Sequence, residues 1–203
     1  LSTVFFETTH SFHFTVIPLF LLMGFFALRA GLGSDVYEAA YTWLGGVRGG
    51  LAISTTVAAA GFGAASGSSV GTATVFTKIA LSEMLDRGYD KGLASASIAI
   101  AGTLAVMIPP SAVMVIYGIL TDSSIGKLLM AGILPGIVFG ILLCLAIYIT
   151  ARRRPEMAPR SENKATWGQR IYSLRLAGPL VLIVFSIIAG IYLGVFTPTE
   201  AGA

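Results

Sequence analysis

The stretch from residue 50 to residue 85, GLAISTTVAAAGFGAASGSSVGTATVFTKIALSEML, runs for 36 residues and constrains the fold of this chain more than any other. As one α-helix it would extend about 54 Å at 1.5 Å per residue. That is too long for a single crossing of a hydrocarbon core about 30 Å thick, and nothing in it is polar enough to face bulk water and divide it. At its midpoint stands AASGSSVGTAT, with no residue larger than Val and no charge. Two arms of roughly 16 residues would each reach about 24 Å, short of a full core. A helical hairpin that enters and leaves on one side accommodates both the length and the glycine–serine midpoint.

Other readings compete. Gly63, Gly67 and Gly71 form a double G-x-x-x-G, the spacing of a tight helix–helix seam in a membrane. GFGAAS resembles a dinucleotide loop that has lost its last glycine, but no βαβ unit surrounds it. Charge separates hairpin from crossing. Seven of the 13 basic residues lie between Arg152 and Arg175, which marks a cytoplasmic connector rather than a nucleic-acid surface. Residues 125–149 then run inward, the broken span before them outward, and the loop at 83–91 is cytoplasmic. A hairpin places Arg29 and Arg48 on that same side; a single crossing would place them outside.

Only 11% of the residues are charged and 55% are hydrophobic, against about 25% charged in average soluble domains. The chain reads as an all-α integral membrane protein. Its one cysteine, Cys144, excludes an intramolecular disulfide and a cysteine metal site. His10 and His13, beside Phe12 and Phe14, read as interfacial side chains. No nucleophile–base pair or metal cluster points to an enzyme.

Residues 1–49 read as a scaffold transmembrane helix (apolar from 12 to 28) followed by an interfacial amphipathic segment. Ser34 and Asp35 are the expected caps of a short helix bearing Tyr41 and Trp43. Residues 86–124 hold a broken span and 125–150 a transmembrane helix with Asp122 or Ser123 as its N-cap. Residues 151–175 form a basic, polar connector, and 176–196 a further span. At 197–203, Thr197, Pro198 and Glu200 carry the signature of a helix start. With Leu rather than Met at position 1, the chain reads as a fragment whose second half would begin there.

The broken span contains AGTLAVMIPPSAV. Pro109 and Pro110 lack N–H groups, so the carbonyls of Ala105 and Val106 lose their helical partners. Each proline also disfavours helical geometry in the residue before it. Either neighbouring hydroxyls patch a kinked span, or the backbone opens. If it opens against the hairpin tip, loosened carbonyls and serine hydroxyls make an oxygen cage for a hard monovalent cation. Half-helices starting near Ser69 and Ser111 would offer N–H groups and positive dipole ends to an anion. No acidic residue occurs in 49–82 or 92–121, which points to sodium held largely by backbone rather than a carboxylate proton relay.

The residues from GLAISTT to GILPG, with SGSS, RGYD, GTL…IPPS, YG…T…SIGKL and GILPG in order, resemble the large membrane subunit (DctM type) of the tripartite ATP-independent periplasmic (TRAP) transporters. FTPTEAGA extends the likeness over nearly the whole chain. The resemblance implies one half of an inverted-repeat, elevator-type transporter in the bacterial inner membrane. It implies sodium-coupled uptake of a small organic anion, such as a C4-dicarboxylate, sialic acid or keto acid. The implied partners are a periplasmic binding protein and a small four-helix membrane subunit, with no cofactor beyond the coupling ion and no nucleic acid. By position the implied sodium site is Ser66, Gly67, Ser68 and Ser69 with Gly102, Thr103, Leu104, Ile108 and Pro109. The anion would meet Ser69, Pro110 and Ser111. The alternatives are a divalent-anion/sodium symporter of similar architecture, or a structural membrane module without an ion site.

Overall fold

Two left-handed glycines bracket the first arm of the hairpin: Gly49 (φ 73°) before it and Gly67 (φ 59°) after it. The computed structural model describes residues 16–159, 165–197 and 200, and all regular structure among them is helical. In chain order the elements are α1 (Val16–Arg29), α2 (Leu32–Leu44), α3 (Gly50–Ser66), α4 (Ser69–Phe76), a π-helical stretch (Thr77–Leu81) and α5 (Ser82–Asp86). Then follow α6 (Lys91–Met107), α7 (Ala112–Leu120), α8 (Ile125–Arg153) and α9 (Trp167–Tyr192).

α3 is the first arm, and α4 through α5 are the second. The arms meet through Phe62 and Phe76, edge to face with ring centroids 6.1 Å apart. α3 is also the centre of the molecule, packed by α1, α2, α6, α8 and α9. Its small residues let those neighbours approach closely. Its buried hydroxyls need no water: Ser54, Thr55 and Thr56 donate to the carbonyls of Gly50, Leu51 and Ala52 at 2.6, 2.8 and 3.0 Å.

Both ends of the hairpin lie at the arginine-bearing end of α8. Gly49 sits against Ala151 and Ile147. At the other end, the Asp90 N–H donates to the Met157 carbonyl at 2.9 Å. Asp90 then caps α6, accepting from the Leu93 N–H at 2.9 Å. A straight 36-residue helix would have put these ends far apart.

α2 lies across this base. The Tyr37 hydroxyl donates to Glu83 at 2.9 Å, and Arg87 pairs with Glu83 at 3.0 Å. Burial, followed by the Glu83 carboxylate, pushes the Tyr37 phenol well above its ordinary pKa. The Arg170 guanidinium stands 5.7 Å from the Trp43 ring and 5.3 Å from that of Trp167, tying α2 to α9.

Among the described residues, α8 and α9 are each long and apolar enough to cross a membrane, and α6 with α7 makes a third such unit bent by 45°. α8 exposes Leu134, Ile137, Ile141 and Leu142, and α9 exposes Val181, Leu182 and Phe185. These are the apolar faces a lipid environment asks for, and the chain is a membrane protein.

Several boundaries differ from the sequence reading. α9 begins at Trp167, inside the supposed connector, because Thr166 and Gln169 form a reciprocal capping box. α2 starts after a left-handed Gly31, so Ser34 and Asp35 fall in its first turn rather than at its cap. α8 is preceded by Ser124, while Asp122 turns the chain at φ 50°. The expected helix start at the C-terminal end has its cap: Thr197 Oγ accepts from the Glu200 N–H at 3.3 Å, and Glu200 accepts from the Thr197 N–H at 2.7 Å. Residues 10–15 and Pro198 lie outside the described residues.

Candidate functional site

The helix broken by the two prolines and the tip of the hairpin meet backbone to backbone. α6 ends at Met107, Ile108 is extended (φ −86°, ψ 120°), and α7 resumes only after Ser111. The residue before Pro109 has left the helical region, as proline demands. Gly67 sits against this gap. A Cβ on it would lie 3.3 Å from the Ala112 nitrogen and 3.4 Å from the Pro110 carbonyl oxygen. Gly67 also needs its left-handed backbone to close α3, donating to the Gly63 carbonyl at 2.8 Å.

The two serines that restart the helices are near copies of each other. Ser68 (φ −123°, ψ 119°) caps α4, its hydroxyl accepting from the Gly71 N–H at 3.1 Å. Ser111 (φ −126°, ψ 123°) caps α7, accepting from the Met114 N–H at 3.5 Å. Two helix N-termini thus begin on either side of Gly67, each adding positive potential at its first turn. Ser66 is buried, and its hydroxyl is 2.9 Å from that of Thr72, bridging the end of one arm to the start of the other.

Of the other expected ligands, Gly102 is buried where a Cβ would fall 3.1 Å from the Ser69 carbonyl oxygen. Gly102, within α6, thus meets Ser69 beside the tip, while Gly67 meets Pro110 across the break. Leu104 is fully buried. Thr103 is exposed and donates its hydroxyl to the Ile100 carbonyl at 2.6 Å. The Ile108 side chain meets α8 at Gly136. The backbone from Pro110 to Ala112 is what faces Gly67. The double G-x-x-x-G is no continuous seam either: Gly63 alone packs a helix closely, while Gly67 ends α3 and Gly71 lies under the Ser68 hydroxyl.

Sequence reasoning missed what holds the break open. On α8, read only as a transmembrane helix, a Cβ on Gly132 would lie 2.6 Å from the Met107 carbonyl oxygen, and one on Gly136 2.8 Å from the Ile108 side chain. On α1, a Cβ on Gly24 would come 2.8 Å from the Ser66 Cα. The Gly132–Gly136–Gly140 spacing inside an apolar run was the available signal. Oxygen is the donor type this assembly offers: carbonyls at Pro110 and Ser69 and hydroxyls at Ser66, Ser68 and Ser111. Among the described residues no group of three or more His, Cys, Asp or Glu gathers to hold a metal ion.

The chain matches, over residues 1–203, the family described as the tripartite ATP-independent periplasmic transporter, DctM component. It belongs to that family. It is 39% identical over 207 residues to the C4-dicarboxylate TRAP transporter large permease protein DctM of Pseudomonas aeruginosa, covering 98% of this chain and 46% of that protein. The ectoine TRAP transporter large permease protein TeaC of Halomonas elongata is 39% identical over 188 residues, 92% of this chain and 43% of that one. The sialic acid TRAP transporter permease protein SiaT of Haemophilus influenzae is 31% identical over 191 residues, 94% of this chain and 30% of that one. The chain therefore spans less than half the length of these curated relatives, all of which are named as permeases rather than enzymes.

Proposed function

We propose that this chain supplies one hairpin and one broken helix of a TRAP large permease that takes up a small organic anion, coupled to sodium, across the bacterial inner membrane. The observation that carries the reading is Gly67 seated in the 108–111 break, between the Ser68 and Ser111 caps. Sodium is the coupling substrate, held by carbonyls of the tip and break together with serine hydroxyls. A hard monovalent cation suits neutral oxygen donors and needs no carboxylate. The two short helices point their N-termini into the same region, where a carboxylate or sulfonate is favoured.

The relatives are named for C4-dicarboxylate, isethionate, ectoine and sialic acid, compounds that each carry such an oxyanion. A periplasmic binding protein delivers the substrate and a small membrane subunit braces the scaffold. The test is uptake into proteoliposomes holding the full-length permease with its small subunit, driven by the cognate binding protein. Uptake of labelled succinate, isethionate or sialic acid is expected only with an inward sodium gradient. Uptake that ignores sodium removes the coupling, and uptake undiminished without the binding protein removes the tripartite assignment.

A further inference from the structure

The second arm of the hairpin carries a charge that the tip does not use. Lys78 is the one basic residue between Arg48 and Arg87. It is exposed, lies inside the π-helical stretch Thr77–Leu81, and has no ion pair among the described residues. It stands nine residues beyond Ser69 and eight before Asp86, about 13 Å from either end of the arm. A π-helical turn within an α-helical arm is a frequent mark of a functional position.

The face it occupies is not built for lipid. On α8 and α9 the exposed positions include the large apolar side chains of Leu134, Ile137, Ile141, Val181, Leu182 and Phe185. On the second arm the exposed positions running with Lys78 are Val70, Thr74, Thr77 and Ser82. Thr74 and Thr77 turn their hydroxyl hydrogens back to the carbonyls of Val70 and Ala73 at 2.8 and 2.7 Å. An unpaired ammonium halfway along a membrane-embedded helix belongs in a water-filled path rather than hydrocarbon. Such a path would run from the paired helix N-termini toward the arginine-bearing end of α8. Every fixed charge along it on this arm, down to Glu83, is the single cation.

We propose that Lys78 is an anion-binding station on the substrate route, holding a carboxylate or sulfonate between the hairpin tip and the arginine-rich end of the protein. This rests on the anion-uptake reading above, and the test keeps the two apart. In the full-length permease with other reactive cysteines replaced, Thr74→Cys is modified by an anionic and by a cationic methanethiosulfonate, both membrane-impermeant. With Lys78 present the anionic reagent is expected to react preferentially, and Lys78→Gln should lower the anionic-to-cationic rate ratio at least threefold, while Lys78→Arg preserves it. No reaction with either reagent, or a ratio unchanged by Lys78→Gln, overturns the proposal whatever the transporter carries.

In proteoliposomes, Lys78→Gln should raise the KM for succinate at least tenfold, with Lys78→Arg within about threefold and the sodium half-saturation unchanged. A Lys78→Gln KM equal to that of the unmodified protein likewise overturns it. If the unmodified permease takes up none of the named anions under a sodium gradient, the uptake reading fails instead, and the labelling ratio still decides whether Lys78 attracts anions.

Discussion

Gly63 of α3 lies against the backbone of Ala105 in α6, so close that a Cβ on the glycine would be 2.5 Å from the Ala105 Cβ and 2.7 Å from its Cα. This contact fixes the hairpin to the broken helix one turn below the tip. Backbone cannot yield as a flexible side chain can. The separation of the two elements is therefore set by a missing methyl group.

Gly63→Ala should lower the melting temperature of the full-length permease in detergent, since overpacking a well-filled site costs about 1–3 kcal/mol. The comparison is Gly61→Ala on the same helix. There a Cβ would meet Leu180 and Val36 at an ordinary 3.6 Å, and helix propensity gains about 0.8–1 kcal/mol. Gly61→Ala should be neutral or stabilising. Equal melting of both variants would remove Gly63 as the spacer.

The Ser66–Thr72 bridge makes a coupled prediction. Ser66→Ala leaves the buried Thr72 hydroxyl without this partner, at a cost of about 1–3 kcal/mol, while Thr72→Val leaves the Ser66 hydroxyl only its longer contacts, 3.5 Å to the Gly63 carbonyl and 3.5 Å from the Ser68 N–H. Removing both should cost clearly less than the sum of the two single changes. A double-mutant cycle on thermal stability measures this. Strict additivity would mean that the 2.9 Å approach holds nothing together.

Sidedness follows from the base of the hairpin. With Gly49 against Ala151 and Asp90 bonded to Met157, Arg48→Cys and Arg87→Cys should label from the same face of intact cells, the cytoplasmic one. Labelling from opposite faces would contradict the re-entrant path.

The hairpin and the break were readable from the chain because each violates a rule of simple spans. Glycine and serine crowd the middle of one segment, and two adjacent prolines remove donors from the other. Their partners were not readable. Gly24, Gly132 and Gly136 sit in apolar runs where a glycine facing lipid and a glycine facing a carbonyl look alike in sequence. Thr103 and Ile108 entered the implied site through the family resemblance as largely backbone ligands, and the direction of the Ile108 side chain depends on α8, whose approach no local pattern encodes. The start of α9 was hidden by charge: its capping residues stand in a basic segment whose polarity mimics a loop.

Opening the break is itself testable. Replacing both Pro109 and Pro110 by Ala restores N–H groups that can bond the Ala105 and Val106 carbonyls, so helix should extend through 108–110 and pull the backbone from Gly67. The sodium-driven uptake proposed for the full-length protein is expected to fall sharply while expression holds. Unchanged uptake with unchanged sodium dependence would show that the break has no part in coupling.

Gly67 is the position where the whole arrangement is most exposed to a single change. Leu there must adopt the left-handed backbone at φ 59°, a conformation costing about 1–2 kcal/mol for a residue with a Cβ. Its side chain would also drive into the Ala112 nitrogen and the Pro110 carbonyl. Leu is more apolar than Gly, so membrane insertion should not suffer, and the loss should appear as abolished uptake by protein that is still made and inserted. Ser68→Ala should do less. It removes a cap and at most one ligand, worth about 1–3 kcal/mol, and should surface as a raised sodium requirement. Capture of substrate by the periplasmic binding protein proposed as its partner should be untouched in both. Normal transport by Gly67→Leu at low sodium would reduce the tip to a turn, and the serines and glycines around it to packing.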